Sequence, residues 1–462
     1  DKLLHHASSL IRKGCFIAAI KAGITEAGSR AATSHTGAMA SSDSAVEALF
    51  RKAGIVRCAG REELTTVASV FFYKPLKGRN IAIITHAGGP AVMLTDALAA
   101  GGMNIPIISG DDHDRLLSMM NPGASAFNPI DMIATATDEQ LNNVIDYVDR
   151  NLPSIDGMTV IFGSNGLNDM MQIYDLLHRK ILECSKPLYP ILPSVSSSRA
   201  ELEYFLQKGH VNFPDEVVLG RALTKISNTP GPADDKIFLE NIDVPLVRRI
   251  IDDVSPGYVE PAVIQQLLKA ADIPVVEEIV VNNRRQLITA ANKLGYPLAL
   301  KVVGPVHKSD VGGVTLNIKS QKHLEAEFTR MKRIKGVTAV LVQKMLAGTE
   351  LFIGAKYEPR FGHVILCGLG GIFVEVLGDI SSGLAPLTFR EAESMIRSLK
   401  SYRIIKGTRG KPGINEKLFA EIIVRLSSLL RFATEIKEMD LNPLIGNTEG
   451  ITVVDARIRI DK

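Results

Sequence analysis

Two histidines in loops of small residues are the strongest chemical signal in this sequence. His35 lies in the segment 31–37, AATSHTG, and His307 lies in the segment 306–313, VHKSDVGG. An imidazole is nucleophilic near neutral pH because its ordinary pKa is about 6.5. Glycine and other small neighbours let the backbone approach a phosphate and leave the ring accessible. The pair therefore predicts a covalent phosphate relay with two histidine carriers.

A lysine within an apolar run indicates an anionic ligand. Lys301 is the only charged residue of the segment 298–303, LALKVV, which has the pattern of a buried strand. Burying an ammonium group costs free energy unless an anion compensates it. Lys301 is thus a candidate for contact with a nucleotide phosphate. The alternative is a lysine near a strand end whose amine reaches solvent.

Oxygen-bearing side chains gather near the C-terminus. Asp440 and Asn442 are two residues apart, so on an extended segment they face the same side, and Asp455 follows the next apolar run. Carboxylate and amide oxygens suit Mg²⁺, which bridges protein to triphosphate. These three residues are the candidate metal ligands. The alternative is a turn in which Asp and Asn cap local backbone groups.

Two glycine pairs follow apolar segments. Gly88 and Gly89 stand at the start of a helix, where free N–H groups and the helix dipole favour a phosphate. Gly370 and Gly371 end the segment GLGG, whose amides could lie over nucleotide phosphates. Taken alone, each pair is equally compatible with a tight turn.

Bulk properties exclude several classes of protein. The chain has 462 residues, too many for one core, and its 46% hydrophobic and 22% charged residues are typical of a soluble globular protein. A net charge of +3 predicts no nucleic-acid partner and no anionic membrane surface. No apolar stretch reaches about 18 residues, which predicts no transmembrane helix. The four cysteines form no CxxC motif, which favours a reducing, cytoplasmic location.

Apolar runs alternate with helical patterns in the first half of the chain. This alternation predicts an α/β fold with a doubly wound parallel sheet of flavodoxin type. The predicted strands are the segments 80–85, 105–108, 157–162 and 188–192. A polar stretch beginning near residue 227 indicates a linker. A further block of strands and helices begins at about residue 259, after this linker.

Together these motifs resemble the ADP-forming (NDP-forming) acyl-CoA synthetases, which are relatives of succinyl-CoA synthetase. The segments that carry the resemblance are KAG (21–23), EAG (26–28), SHTGA (34–38), NPIDM (128–132), GYP (295–297), LKV (300–302), HKSDVGG (307–313), GLGGIFVE (368–375) and DLNPL (440–444).

The resemblance implies a domain order. Residues 1–75 would be the C-terminal part of a succinyl-CoA synthetase-like α/β domain with the phosphohistidine loop. Residues 76–226 would be a flavodoxin-like ligase domain, 227–258 a linker, and 259–462 an ATP-grasp nucleotide-binding domain. The family's N-terminal CoA-binding domain is missing from this chain, so we expect a fragment of a fused enzyme that works as an oligomer.

The resemblance also implies a reaction and its site residues. Acyl-CoA, ADP and phosphate would be converted reversibly to carboxylic acid, CoA and ATP, with Mg²⁺ as cofactor and ATP/ADP as substrate. His35 and His307 would carry the phosphoryl group. Gln343 and Glu350 would join Lys301, Gly370 and Gly371 at the nucleotide, Gly88 and Gly89 would bind phosphate, and Asp440, Asn442 and Asp455 would hold the metal.

Two departures from the family pattern stand out. Gly383 occupies a position where relatives place an arginine, which we expect to weaken phosphate cover, and His86 occupies a position where asparagine is usual. The alternative function is a catalytically inactive module that senses acyl-CoA or nucleotide, as in protein acetyltransferase-type relatives. A third reading, an ATP-grasp carboxylate–amine ligase, would have no use for the His35 loop.

Overall fold

The computed structural model describes residues 2–25, 27–31, 42–164, 170–193, 196–234, 242–304, 311–371, 378–408 and 410–462. Both His35 and His307 therefore lie outside the described residues. The chain divides into two compact units. Unit 1 comprises Asp1–Ser41 and Phe50–Pro232, and unit 2 comprises Ser42–Leu49 and Ala233–Lys462.

Strands and helices alternate through most of the chain. The strands are β1 (Ala18–Ile20), β2 (Val56–Cys58), β3 (Ile81–Thr85), β4 (Ile130–Asp131), β5 (Gly157–Ile161), β6 (Leu188–Ile191), β7 (Gly257–Tyr258), β8 (Glu278–Val281), β9 (Leu298–Val303), β10 (Val314–Ile318), β11 (Ala339–Lys344), β12 (Thr349–Glu358), β13 (Gly362–Leu369), β14 (Ile380–Leu384), β15 (Gly407–Thr408), β16 (Lys411–Pro412), β17 (Ile436–Gly446), β18 (Ile451–Val453) and β19 (Ala456–Ile460). The helices are Lys2–Arg12, Asp43–Ala53, Arg61–Val70, Gly88–Ala100, Asp111–Leu117, Asp138–Asn151, Met170–Glu183, Arg199–Gln207, Glu216–Asn228, Val244–Asp253, Pro261–Ala270, Arg284–Leu294, Gln321–Met331, Phe389–Arg397, Tyr402–Lys406 and Glu416–Phe432.

Unit 1 is built on a parallel sheet with the order β4-β3-β5-β6, and β1 and β2 form a second parallel pair. Apolar residues on both faces explain why β3 is entirely buried. Ala82 and Ile84 belong to one core and Ile81 and Ile83 to the other. Helices cover both faces, as the alternation of strands and helices predicted.

The predicted strand at 105–108 is wrong, and the side chain of Asn128 takes over part of its role. Asn128 accepts a hydrogen bond from Ile83 N (2.9 Å) and donates to Ile81 O and Pro106 O (both 3.0 Å). Pro106 has no N–H and cannot extend a strand ladder. Asn128 is only 7% exposed and has a φ of 69°, a conformation that asparagine adopts more readily than most residues.

Unit 2 contains a small antiparallel sheet with the order β10-β9-β11-β8. One face packs against the helices Arg284–Leu294 and Gln321–Met331 through Leu300, Val302 and Val340. Since side chains alternate along a strand, Lys301 and Gln343 lie on the opposite face. The helices thus fix which side of the sheet carries the polar groups.

The second sheet of unit 2 is antiparallel, with the order β14-β13-β12-β17-β19-β7 and β18 paired to β17. Its core face packs against helices of this unit, and the buried residues Met439 and Leu441 of β17 belong to this core. Asp440 and Asn442 alternate with them and therefore lie on the other face.

The predicted linker 227–258 is partly a packed helix. Val247 and Ile251 of the helix Val244–Asp253 are buried in the core of unit 2. Arg248 donates to Glu435 Oε1 (2.8 Å) and Oε2 (3.0 Å), which ties this helix to the segment before β17. The apolar i, i+4 spacing within a polar stretch could have revealed this helix. The boundaries predicted at 75/76 and 258/259 stay predictions.

No helix within the described ranges is long and apolar enough to cross a membrane.

We predict that Asn128→Ala lowers the free energy of unfolding by about 2–4 kcal/mol, because it leaves three main-chain groups without their partner. Urea unfolding measures the change. Asn143→Ala, on an exposed helix surface, is the matched control and should stay within about 0.5 kcal/mol of the parent. Equal stability of the two variants would contradict the role of Asn128.

Candidate functional site

The carbonyl oxygen of Val454 joins the two sheets of unit 2. It accepts hydrogen bonds from Lys301 Nζ of β9 (3.0 Å) and Gln343 Nε2 of β11 (3.1 Å). Val454 lies in the short connection between β18 and β19 of the large sheet. The two side chains are 6% and 2% exposed, so the small sheet brings both into a buried position against this connection.

Glu278 completes this group. It stands directly opposite Gln343 in the antiparallel pair β8–β11, and its Oε2 accepts from Gln343 Nε2 at 2.5 Å. With Nε2 donating to two oxygens, Gln343 Oε1 is left as an acceptor that is buried and has no hydrogen-bond partner among the residues that the structure describes.

A pocket opens beside these polar groups. Lys301, Gln343, Glu278 and Asp455 line it together with apolar residues of the helix Pro261–Ala270 and of β18. The pocket has a volume of about 30 Å³, so the described residues bring these polar groups together beside apolar side chains but do not enclose a cavity of nucleotide size.

The three predicted metal ligands come together on the large sheet. Asn442 N donates to Asp455 O at 3.1 Å. Asp440 lies two residues before Asn442, on the same face of β17. Asp455 is the residue after Val454. The predicted nucleotide residues Lys301 and Gln343 therefore adjoin the predicted metal residues.

The Asp440 side chain is half-buried, and its buried carboxylate oxygen Oδ1 is not compensated by a hydrogen bond within the described residues. Burial raises the pKa of Asp440, the charge of Arg457 partly offsets this, and the charge of Asp455 raises the pKa further. Because the pKa of Asp440 is higher in the folded than in the unfolded state, its ionisation lowers the free energy of unfolding as the pH rises through the folded-state pKa. A bound cation would remove this cost.

Among the described residues, no group of three or more His, Cys, Asp or Glu side chains could hold a metal ion. The candidate set instead consists of two carboxylates and the amide of Asn442. Such a set suits Mg²⁺, which keeps several water ligands and takes few from the protein.

Glu350 and the glycine turn form a second group on the large sheet. Gly370 N donates to Glu350 O at 2.8 Å. A Cβ at Gly371 would lie 2.2 Å from Glu350 Oε2, and Gly371 has a φ of 60°. The turn therefore requires glycine, and its backbone lies directly against the Glu350 carboxylate.

Gly383 of β14 lies close to side chains of the core. A Cβ at this position would lie 2.5 Å from Met395 Sδ and 2.9 Å from Leu387 Cδ2. Both neighbours belong to the core of unit 2. A side chain here would therefore meet these core residues, and the expectation that this glycine weakens phosphate cover stays a prediction.

In unit 1, Gly88 and Gly89 lie in the first turn of the helix Gly88–Ala100. Both are exposed, and no side chain caps this helix start. A Cβ at Gly88 would lie 3.1 Å from Asp131 Oδ2, whereas nothing lies within 4 Å of one at Gly89. Open N–H groups at a helix start can bind an anion.

His86 stands just before this helix. Its Nδ1 lies 3.2 Å from Ile161 O, and its ring stacks on Phe162 with a centroid distance of 4.3 Å. Burial lowers the pKa of His86, while the Ile161 hydrogen bond and the Asp131 charge oppose that shift. Because a carbonyl oxygen only accepts hydrogen bonds, Nδ1 carries the proton in the contact with Ile161 O.

Residue patterns alone missed three neighbours of the predicted groups. Glu278 reaches Gln343 only through strand pairing, Arg457 stands opposite Asp440 in the β17–β19 pair, and Asp131 approaches Gly88 across β3–β4. Asp131 lies in the NPIDM motif, which was the one available signal.

We predict that Asp440→Asn is more stable than the parent in EDTA, by about 1 kcal/mol, because it removes a poorly compensated buried charge. Conversely, Mg²⁺ with ADP should raise the unfolding temperature of the parent more than that of the variant. Thermal unfolding in both buffers measures this. Asp461→Asn is the exposed control, and a parent-like response of Asp440→Asn to Mg²⁺–ADP would argue against the metal role.

Protein families and known proteins match the sequence of this chain. A model of the ATP-grasp domain matches residues 257–460, and a model of the succinyl-CoA ligase like flavodoxin domain matches residues 1–71. These matches, together with the parallel and antiparallel sheets, confirm the predicted fold class.

Three relatives illustrate the similarity. The chain is 32% identical to the ADP-forming acetate–CoA ligase I of Archaeoglobus fulgidus, over 99% of the chain and 68% of that protein. It is 31% identical to the ADP-forming 4-hydroxybutyrate–CoA ligase of Nitrosopumilus maritimus, over 95% of the chain and 65% of that protein. It is 38% identical to the beta subunit of the ADP-forming acetate–CoA ligase I of Pyrococcus furiosus, over 43% of the chain and 90% of that subunit.

The chain spans about two thirds of the length of the two longer relatives. The similarity extends over nearly the whole chain. The ATP-grasp domain at residues 257–460 includes Lys301 and Gln343. This chain belongs to the family of ADP-forming acyl-CoA synthetases.

Proposed function

We propose that this chain is the phosphotransfer and nucleotide-binding part of an acid–thiol ligase. The reaction is the reversible conversion of acyl-CoA, ADP and phosphate to carboxylic acid, CoA and ATP. The observation that carries the proposal is the buried group at Val454, where Lys301, Gln343 and Asp455 meet within an ATP-grasp domain.

The phosphoryl group reaches ADP through two phosphohistidine intermediates. Phosphate displaces CoA from the acyl group to give an acyl phosphate, and a histidine nitrogen then takes the phosphoryl group and releases the acid. We assign this first carrier to His35, which passes the phosphoryl group to the second carrier, His307. The phosphoryl group finally passes to ADP, which restores the free imidazole. Exposed N–H groups at Gly88 and Gly89 support the phosphate end of this path.

The residues at Val454 fit a nucleotide. Lys301 Nζ would face the phosphates, and the partner-free Gln343 Oε1 is an acceptor for an exocyclic amine of the base. Glu350 with Gly370 and Gly371 would close the pocket from the neighbouring strands of the large sheet.

The residues present also fit Mg²⁺, since Asp440 Oδ1 is buried and lacks a hydrogen-bond partner among the described residues. Asp440, Asn442 and Asp455 would hold the ion. When bound, Mg²⁺ neutralises charge on the phosphoryl oxygens. Lys301 orients the same phosphates from the other sheet, and the apolar wall of the Pro261–Ala270 helix excludes water.

Membership of the family supports a substrate class, an oligomeric assembly and a cellular location. Similar proteins are named for acetate and for 4-hydroxybutyrate, so we propose a carboxylic acid without fixing its side chain. A related beta subunit exists as a separate chain, which supports assembly with a CoA-binding partner domain in an oligomer. All four thiols are free, which supports a reducing, cytoplasmic location.

We predict that Mg-ATP labelled in its γ-phosphate transfers label to both His35 and His307. The label should be acid-labile and alkali-stable. In His307→Ala the label on His35 should be lost, because it arrives through His307, whereas His35→Ala should keep its label on His307. Peptide mapping after labelling measures both.

His323→Ala, on the helix Gln321–Met331, is the control and should label like the parent. Label on His35 in His307→Ala at the parent level would contradict the relay. A folded chain that binds Mg-ADP but takes no label would instead favour the alternative, a catalytically inactive sensing module.

A further inference from the structure

A pocket of about 380 Å³ lies in unit 1, apart from all the residues assigned above. It is formed by the segment 70–79, by Phe16, by Tyr189 of β6 and by the C-terminal end of the helix Glu216–Asn228. Its volume is within the range of about 300–1,000 Å³ that is typical of small-molecule sites.

The pocket and the proposed phosphate site lie at opposite ends of β3. Gly78 and Arg79 precede β3 and line the pocket, whereas Gly88 and Gly89 follow the strand. Five residues of strand separate the two ends by roughly 17 Å. A ligand in the pocket is therefore distinct from a phosphate at the Gly88 helix.

Aromatic and aliphatic side chains form the walls. The rings of Phe16 and Phe71 stack with a centroid distance of 4.7 Å. Tyr73 and Tyr189 form the floor, where they are 7% and 0% exposed, and Ile226 lies at the side. The hydroxyl groups of both tyrosines donate to main-chain carbonyls, so their polar ends are already hydrogen-bonded within the protein.

The charge at the pocket is entirely positive. Lys74, Lys77 and Arg79 line it, and no carboxylate does among the residues that the structure describes. Lys74 Nζ donates to Leu182 O (3.1 Å) and to Cys184 O. Arg79 donates to Gly102 O (3.2 Å), Ser227 O (3.1 Å) and Asn228 Oδ1 (2.9 Å), at the ends of two helices.

Lys77 differs from these two cations. It is exposed, and it makes no hydrogen bond or ion pair with another residue of the described chain. The nearby Asp156 accepts from Asn80 N at 2.8 Å and does not line the pocket. One uncommitted ammonium group thus stands at an apolar, aromatic cavity.

We propose that this pocket binds a small carboxylate with an aromatic or branched apolar body, with its ring on the Phe71–Tyr73 wall and its carboxylate on Lys77. Lys74 and Arg79 keep their charge but use their N–H groups on neutral oxygens, so Lys77 offers the one ammonium group at the pocket with no hydrogen bond to another described residue, which suits one carboxylate. A nucleotide or CoA would bring several phosphate charges and need several such donors. The site is thus a second binding site for an organic acid, remote from the transfer chemistry.

Calorimetry with phenylacetate and its neutral match phenylacetamide tests the proposal on the full chain. The acid should bind saturably, and the amide about tenfold more weakly, because it lacks the charge-assisted contact. Lys77→Gln should remove this preference for the acid. Lys13→Gln, which changes an exposed lysine outside the pocket, should keep it.

Ile226→Phe narrows the pocket and should weaken binding of both compounds, with thermal unfolding as the check that it folds. If that variant does not fold, Lys77→Gln decides alone. Absence of saturable phenylacetate binding to the parent would overturn the proposal. So would binding that Lys77→Gln leaves unchanged, or displacement of phenylacetate by CoA with the same Lys77 dependence, since CoA would then be the occupant.

Discussion

The carbonyl oxygen of Val454 is the point on which unit 2 depends. By accepting from Lys301 and Gln343 it fixes one face of the small sheet against the β18–β19 connection of the large sheet. Main-chain bonds reinforce this joint: Val276 N donates to Val453 O and Val453 N donates to Pro274 O, both at 2.9 Å. A buried lysine is costly without an oxygen partner, and here a main-chain carbonyl supplies one that no side-chain substitution can remove.

The same joint brings acidic residues of the large sheet next to the lysine and the amide of the small sheet. Asp455 follows Val454 directly, and its carbonyl oxygen accepts from Asn442 N, so the acidic edge of the large sheet adjoins the lysine and amide of the small sheet. Two atoms in this region, Gln343 Oε1 and Asp440 Oδ1, are buried without hydrogen-bond partners among the described residues. A fold rarely leaves such atoms unmatched, and a nucleotide with its cation would satisfy both.

Local pattern was sufficient where a residue's role depends on its own strand or helix. The run LALKVV predicted β9 and the buried Lys301, and the two-residue spacing predicted that Asp440 and Asn442 share a face. Pattern failed where the partner is distant in sequence. The pairing of Glu278 in β8 with Gln343 in β11 is tertiary, so the local pattern of β8 gave no sign of it. Likewise, the segment 105–108 is apolar enough for a strand, but Pro106 and the Asn128 side chain replace the ladder.

Affinity for Mg-ADP, measured by calorimetry on the parent, Lys301→Met and the exposed control Lys322→Met, tests the nucleotide site most directly. Removal of a buried charge-assisted contact should weaken Mg-ADP binding about 10- to 100-fold in Lys301→Met, with the fold intact and Lys322→Met unchanged. Equal affinity in all three proteins would contradict the assignment of the Val454 joint as the nucleotide site.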